Sequence, residues 1–536
     1  MNILLYIIFA PILIGLICLV LPRLASWIAL VTALAILVEA ALLFRSGNIV
    51  SPMLGLRVYI FSSGIFLAAA LFAALILLYS QKFMQGRDRQ GQYYGFIMLC
   101  VGAAAGILFA ADYIVLLVFW AIFGFSSFGL MGGGGLRSRW IIGTADILMF
   151  LGIGIIWLLT RTTEIGIERL PLNNIFSILA FFFLLAGALA KSGAVPFHGW
   201  IIDSAEATPA SAMALLPAAL NKFLGIYLLI RICTNVFIIN PNSIISFLLL
   251  VIGSITLLVA VMAGLVQHNL KKLLSFHAVS QTGYMIMGIG TGIPVAMAGA
   301  LFHMLNDALC KALLFLSGGA VESQTGTDEL DRLGGLARFM PLTFGSAMIA
   351  ALSISGIPPL NGFVSKWMIY QGIIELGKTS PFWIIWLLAA MFGSAFTLAS
   401  SLKIMHAVFL GQWSESTARA REVSWWMWAP MVIMAALCVL FGIFAFALPL
   451  NAFILPSIAG VRYTGFYSPE LAALLIIVGL LVGLLIYRLG EVKKITEKPP
   501  YIGGELLDEK TIKVSGVDFF DTIKNWGFLR KFYKSG

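Results

Sequence analysis

Runs of about 20 apolar residues recur along this chain almost to its end, and no other feature limits its fold as much. As a helix such a run rises about 30 Å, enough to cross the hydrocarbon core of a bilayer. The runs fall near residues 3–22, 24–44, 59–80, 93–111, 113–132, 140–160 and 174–193, then 211–234, 243–267, 273–291, 294–319, 340–376, 382–411, 426–449 and 467–487. The expected fold is all-α, a polytopic membrane protein of about 15 transmembrane helices. Composition agrees, since 60% of the 536 residues are hydrophobic and only 11% are charged, more oil than a water-soluble domain needs.

The first run has no basic leader segment and no A-x-A-like cleavage site, so it reads as a retained helix. The five cysteines stand singly in apolar segments without a C-x-x-C pair, which argues against disulfide, zinc and iron–sulfur frameworks. A net charge of +10 comes from basic residues in short loops, a pattern that sets membrane topology rather than binding nucleic acid. With the N-terminus outside, the inner loops hold Lys82, Arg87, Arg89, Arg137, Arg139, Lys271, Lys272, Arg419 and Arg421. That bias predicts N-out and C-in, with an odd number of spans.

Two apolar stretches are interrupted at membrane depth. In "AKSGAVPFHGWIIDSAEATPASA" Pro196 has no N–H to donate and crowds the preceding turn, so a break is expected between Lys191 and His198. In "SISGIPPLNGFVSKW" Pro358 and Pro359 do the same ahead of Lys366. Paired broken helices in two halves of a transporter point to inverted repeats with the ion site at the breaks. The lysine precedes one break and follows the other, so the repeat is a loose one in sequence.

Ionisable residues inside a membrane helix cost about 2.5–3.5 kcal/mol each on insertion scales, so a chain that keeps many uses them. Lys191, Lys222, Lys311, Lys366 and Lys403 lie in or at the edges of apolar segments, with Asp146, Asp203, Glu206, Asp307, His198, His277, His303 and His406. For Lys222 and Lys403 the alternative is a side chain that snorkels to the interface. In "LFHMLNDALCKALLF", His303, Asp307 and Lys311 follow at i, i+4 and i+8 and share one helix face, which reads as a proton relay. Desolvation disfavours a buried lysine's ammonium form and a nearby carboxylate restores it, so moving the carboxylate loads or unloads the lysine. No nucleotide-binding, hydrolase or zinc-protease motif competes; "MGGGGL" at 131–136 reads as a loop between spans.

The first broken segment resembles the signature A-K-S-x-x-x-P-x-H-x-W-x-x-D-A-x-x-x-P-T-P-V-S-A of the antiporter-like subunits shared by respiratory complex I, Mrp Na⁺/H⁺ antiporters and energy-converting membrane-bound hydrogenases. The likeness continues through "QHNLKKLLSFHAVSQTGYM", "LFHMLNDALCKALLFLSGGAV" and "LGGLARFMPLTFGSAMIAALSISGIPPLNGFVSKW". It implies inverted repeats of five helices: N-terminal transmembrane helices over 1–92, a first repeat over 93–235, a second over 243–411, C-terminal transmembrane helices over 412–488 and a cytoplasmic tail over 489–536. By position Lys191 matches the lysine of the seventh helix, Lys222 that of the eighth, Lys311 the lysine after paired histidines of which His303 is kept, and Lys366 the residue at the exit of the proton path. Lys403 has a counterpart in the hydrogenase-type subunits. The family usually places a glutamate after Trp120, where this chain has Ala121, so Asp146 is the expected substitute partner for Lys191.

The resemblance implies a proton-translocating subunit, itself without a redox centre or other cofactor, in a multi-subunit oxidoreductase of the hydrogenase or NADH-quinone type in a prokaryotic cell membrane. "LPAALNKFLGIYLLIRI", "SFHAVSQTG" and "PPYIGGE" look most like the hydrogenase branch. An Mrp-type cation/proton antiporter, or a non-pumping anchor suggested by Ala121, are the alternatives. The aromatic tail "VDFFDTIKNWGFLRKFY" reads as a docking segment for a partner subunit or as an amphipathic helix lying on the membrane.

Overall fold

The computed structural model describes residues 2–51, 55–131, 135–412, 417 and 419–489; the tail that sequence places at the cytoplasmic surface lies outside them apart from Leu489. Seven helices lead to the first break: α1 Asn2–Val20, α2 Ala25–Ser46, α3 Ile60–Phe83, α4 Gln90–Phe109, α5 Tyr113–Leu130, α6 Leu136–Thr160 and α7 Ile175–Ser192. The short α8 Gly199–Ser204 follows, then α9 Ala210–Leu215 and α10 Asn221–Arg231, joined into one rod by the π-helical turn Leu216–Leu220. Next come α11 Ile244–Leu265, α12 Leu270–Gly290, α13 Pro294–Thr325 and the interrupted pair α14 Pro341–Ser355 and α15 Asn361–Leu376. The last are α16 Trp383–Ile404, α17 Trp425–Ile443 and α18 Pro469–Leu489.

Among the described residues, 13 stretches are long and apolar enough to cross a membrane. Two more of the expected segments fall short for identifiable reasons: α12 carries Ser275, His277, Ser280, Gln281 and Thr282 in its middle, and α14–α15 is divided by its break. Two strand pairs of two and three residues, both in loops, and three single bridges are the extended pairings among the described residues. The core is built on α13, buried from 298 to 321, and on the rod, buried from 210 to 232. Peripheral helices turn large apolar side chains outward, among them Leu13, Val31, Phe150 and Leu480, as a lipid-facing surface requires.

Each break is opened by a glycine rather than by the proline behind it. At the end of α7, Gly193 takes a left-handed conformation (φ +75°), its N–H bonds to Ala190 O at 3.2 Å, and Ala194 N–H reaches back to Leu189 O at 2.9 Å. At the end of α14, Gly356 (φ +88°) bonds to Ser353 O at 2.9 Å and Ile357 N–H to Leu352 O at 3.2 Å. This is the Schellman way of finishing a helix, closed before Pro196 and Pro359 can interfere. The octets "SGAVPFHG" and "SGIPPLNG" thus share serine, glycine, proline and glycine in register. Gly193→Ala is expected to cost at least about 1–2 kcal/mol, because a left-handed alanine is strained and its methyl would run into Ile201. Gly345→Ala, within α14 and open on all sides, is the control expected to be neutral or better in thermal unfolding.

A second pair of matching details follows α6 and α13. Thr160 Oγ and Thr325 Oγ each bond the carbonyl two residues on, and Thr162 and Thr327 each cap the N–H of a glutamate, Glu164 and Glu329. Those glutamates bridge Asp112 and Asn269, the side chains that cap the starts of α5 and α12. Equal spacing from these marks sets Asp146 against Lys311, Trp120 against His277, and, from the two glycines, Asp203 against Lys366. Lys191 therefore aligns with Ile354 and not with Lys366, which accounts for the different offsets of the two lysines from their breaks. Cys310 and Cys438, isolated in sequence, meet with their sulfurs 3.8 Å apart as free thiols between α13 and α17.

Candidate functional site

Lys222, Lys311, Lys366 and Lys403 each end on an acceptor contributed by another helix or by the end of a helix, and Lys191 lies against aromatic faces. Lys191 sits in the last turn of α7, where carbonyls without intrahelical partners favour a cation. Gly225 lets α10 close on that turn: a Cβ there would come 2.5 Å from Ser192 N and 2.7 Å from Ala188 O. The Lys191 ammonium, 4% exposed as a residue, lies 4.6 Å from the centre of the Trp120 ring and 5.2 Å from that of Phe123. Trp120 Nε1 donates to Asp146 Oδ1 at 2.8 Å. A Cβ on Gly124 would stand 3.6 Å from Asp146 Oδ2 and 4.0 Å from Lys191 Nζ, so carboxylate and ammonium flank the same small residue without a direct ion pair. Trp120 thus meets the acid with its N–H and the cation with its face, the two polar faculties of an indole. Ala121 points outward from α5, exposed.

Lys222 on α10 and Asp307 on α13 form an ion pair in which both side chains are wholly buried. Lys222 Nζ also donates to Ala278 O at 2.9 Å. The second carboxylate oxygen, Asp307 Oδ1, and the neighbouring Asn221 Oδ1 have no protein partner. Thr282 Oγ, within hydrogen-bonding reach of both Ala278 O and Ser192 O at 3.2 Å, links this pair to the end of α7 beside Lys191.

His303, Asp307 and Lys311 share one face of α13, yet their hydrogen bonds run across to other helices rather than along it. Lys311 Nζ lies 2.9 Å from His277 Nδ1, and His277 Nε2 contacts Ser400 Oγ on α16. His303 is held at Nδ1 by Ser365 Oγ (3.0 Å) and at Nε2 by Gln281 Oε1 (3.2 Å), while Gln281 Nε2 donates to Thr397 Oγ at 3.2 Å. Lys366 on α15 reaches back to the end of α14, donating to Ile354 O at 2.7 Å, with the Tyr284 ring centre 5.0 Å away. Near the other break, Trp200 Nε1 likewise reaches back to the end of α7 and bonds Ala190 O at 2.9 Å. Lys403 caps α11 through Leu265 O (2.6 Å) and Gln267 O (2.8 Å).

Asp203 and Glu206 lie elsewhere. Asp203 accepts from Ser138 Oγ at 3.0 Å at the start of α6, and Glu206 pairs with Lys272 at 2.6 Å. Lys271 meets Glu322 and Asp328 beside it at 3.5 and 3.3 Å. Among the described residues no group of three or more His, Cys, Asp or Glu is arranged to hold a metal. Trp120, Gln281 and Ser400 were not singled out by sequence as site residues, and His277 was named only among the ionisable residues of the apolar segments. Equal spacing from Asp112 and Asn269 brings Trp120 and His277 to corresponding places, where they contact Asp146 and Lys311.

This arrangement can pass protons. Imidazole, amine and carboxylate stand next to one another, each able to exchange a proton with a neighbour, and the unpartnered oxygens beside Lys222 are positions that a water would satisfy.

Residues 110–397 match the family model described as NADH:quinone oxidoreductase/Mrp antiporter, transmembrane. The chain is 30% identical over 485 residues to Na⁺/H⁺ antiporter subunit A1 of Staphylococcus aureus strain MRSA252, covering 82% of this chain and 60% of that protein. The subunit A1 of strain Newman is similar to the same extent, so this chain spans about 60% of the length of these curated relatives. Among solved structures it is similar to a chain of the membrane-bound sulfane sulfur reductase, an archaeal respiratory membrane complex, with TM-score 0.84 and 24% identity over 99% of this chain and 94% of that one. It is also similar to a chain of the Mrp complex from Dietzia sp. DQ12-45-1b, with TM-score 0.75 and 21% identity over 84% and 96% of the two chains. Both likenesses are of fold.

Proposed function

Because the chain belongs to the NADH:quinone oxidoreductase/Mrp antiporter family and is an antiporter-like, multi-pass membrane subunit, we propose that it translocates protons along the buried file Lys191, Lys222–Asp307, His277–Lys311, His303 and Lys366. The observation that carries this reading is the series of fully buried cations, each set against an acid, an imidazole or a helix end on a second element. Burying so many ionisable groups is costly, and proton transfer is the use that rewards it. In this reading Asp146 serves as the counter-charge of Lys191 in place of a glutamate at position 121, and the paired glycine breaks and capped turns mark two inverted repeats of five helices over 93–235 and 243–411. The N-terminus faces outward, the tail lies on the cytoplasmic side against peripheral subunits, and Lys403 ends the file at α11.

The chain works within a larger membrane assembly whose other subunits carry out a redox reaction of the hydrogenase type, supported by the sequence features of that branch and by the likeness in fold to a respiratory complex. A second reading, cation/proton antiport, is favoured by the identity to Na⁺/H⁺ antiporter subunits. The gently solubilised native complex reconstituted in proteoliposomes separates them. Internal acidification on adding a reductant and its acceptor, with no Na⁺ gradient, supports the redox-driven pump; proton movement that needs a Na⁺ gradient and ignores reductant supports the antiporter. No proton movement under either drive removes the proposal.

A further inference from the structure

At the membrane end where α10 and α12 finish and α13 begins lies a partly open cavity of about 720 Å³, lined by none of the file residues. Its lining among the described residues includes two arginines, Arg169 and Arg231, and no acid. Arg231 is only 9% exposed, donates from Nη1 to Ala110 O at 2.8 Å, and lies against the Tyr227 ring at 5.6 Å. No carboxylate comes within ion-pair distance of it among the described residues. Glu164, in the adjoining loops, is committed to Arg57 at 2.7 Å.

A guanidinium has five donors in a planar fork, and a buried one calls for an anion. The amides of Asn235 and Asn240 and the hydroxyl of Thr234 line the same space. Pro294, the first residue of α13, borders it too, so the positive end of that helix's dipole lies at the cavity. The lining also includes apolar side chains, among them Ile289, Met297 and Leu301. The volume is within the range of about 300–1,000 Å³ usual for small-molecule sites, much more than an inorganic oxyanion occupies.

We propose that this cavity binds a phosphate group through Arg231 and Arg169, the phosphate being supplied by an anionic phospholipid whose glycerol and upper acyl chain lie over Met297 and Leu301, or by free inorganic phosphate. Volume and apolar lining favour the lipid.

The test uses the full chain, delipidated in detergent, with dioleoyl phosphatidylglycerol, dioleoyl phosphatidylcholine and inorganic phosphate as probes, and native mass spectrometry as readout. Phosphatidylglycerol is expected to bind more tightly than phosphatidylcholine, and Arg169→Gln and Arg231→Gln to weaken it at least about tenfold each, about 1.4 kcal/mol. Met297→Trp, which adds bulk to the apolar lining, should weaken the lipid and spare phosphate. If phosphate binds, requires Arg231, and phosphatidylglycerol does no better than phosphatidylcholine, the ligand is the free anion. Undiminished phosphatidylglycerol binding in both arginine variants overturns the site, as does failure of phosphatidylglycerol and phosphate alike. Should Arg231→Gln not fold, the exposed Arg169 carries the same comparison.

Discussion

Replacing Asp307 with alanine is expected to destabilise the protein by about 3–5 kcal/mol and to stop proton movement, since the change strands the Lys222 ammonium away from bulk solvent without its counter-charge. Both partners are 0% exposed, and the one remaining acceptor of Lys222 is the carbonyl of Ala278. Breaking a buried pair from one side leaves the desolvation cost of the other charge unopposed, whereas removing both leaves an apolar contact. The double variant Lys222→Met with Asp307→Leu should therefore regain most of the lost stability in thermal unfolding while transport in everted vesicles stays at background. Equal destabilisation in single and double variants would mean that the pair matters for packing rather than for charge. Recovery of transport in the double variant would remove Lys222 and Asp307 from the proton path.

Lys191→Met should bring transport to background with the chain still folded and inserted, because methionine keeps the volume and apolar stem of the side chain and loses only its proton. A graded series around it tests the geometry. Asp146→Asn removes the charge near Gly124 and should slow transport by about tenfold or more, equivalent to about 1.4 kcal/mol on the barrier. Trp120→Phe keeps a ring against the ammonium but deletes the N–H that holds Asp146 Oδ1. A hydrogen bond to a charged group is worth about 1.5–3 kcal/mol, so this change should slow transport to a similar degree. Wild-type rates in Asp146→Asn would show that Lys191 takes its counter-charge from elsewhere. Ala121→Glu is not expected to substitute for Asp146 within the chain, because position 121 faces outward.

The helices were legible because a bilayer enforces a length and a composition that no other environment asks for, and each expected apolar segment through 467–487 has a helical counterpart. The buried lysines were legible for the same reason in reverse, each being an expensive exception to an apolar run. Their partners were not. Lys222 meets Asp307 across 85 positions and Lys311 meets His277 across 34, and side-chain spacing within one helix says nothing about which other helix lies opposite. The face shared by His303, Asp307 and Lys311 was real, but a common face fixes direction and not partners. Proline drew attention to the breaks, while the glycine that ends each helix supplies the register in which Lys366 faces the position of Asp203.

On the proposed proton path, the matched turns after α6 and α13 bear on the direction of flow. Where the two stretches agree, in Thr160 and Thr325, Glu164 and Glu329, Gly193 and Gly356, they hold backbone. Where they part company their polar groups differ: Asp146 stands at the position of Lys311, Trp120 at that of His277, and Asp203, outside the file, at that of Lys366. Two identical half-sites would bind a proton equally well, and a thermal walk between them would have no preferred sense. An acid at one station and a base at its twin give the walk a slope in proton affinity. A cycle that alternates access to the two ends can then load at one and discharge at the other, which makes the sameness of the frame and the difference of its charges together a rectifier.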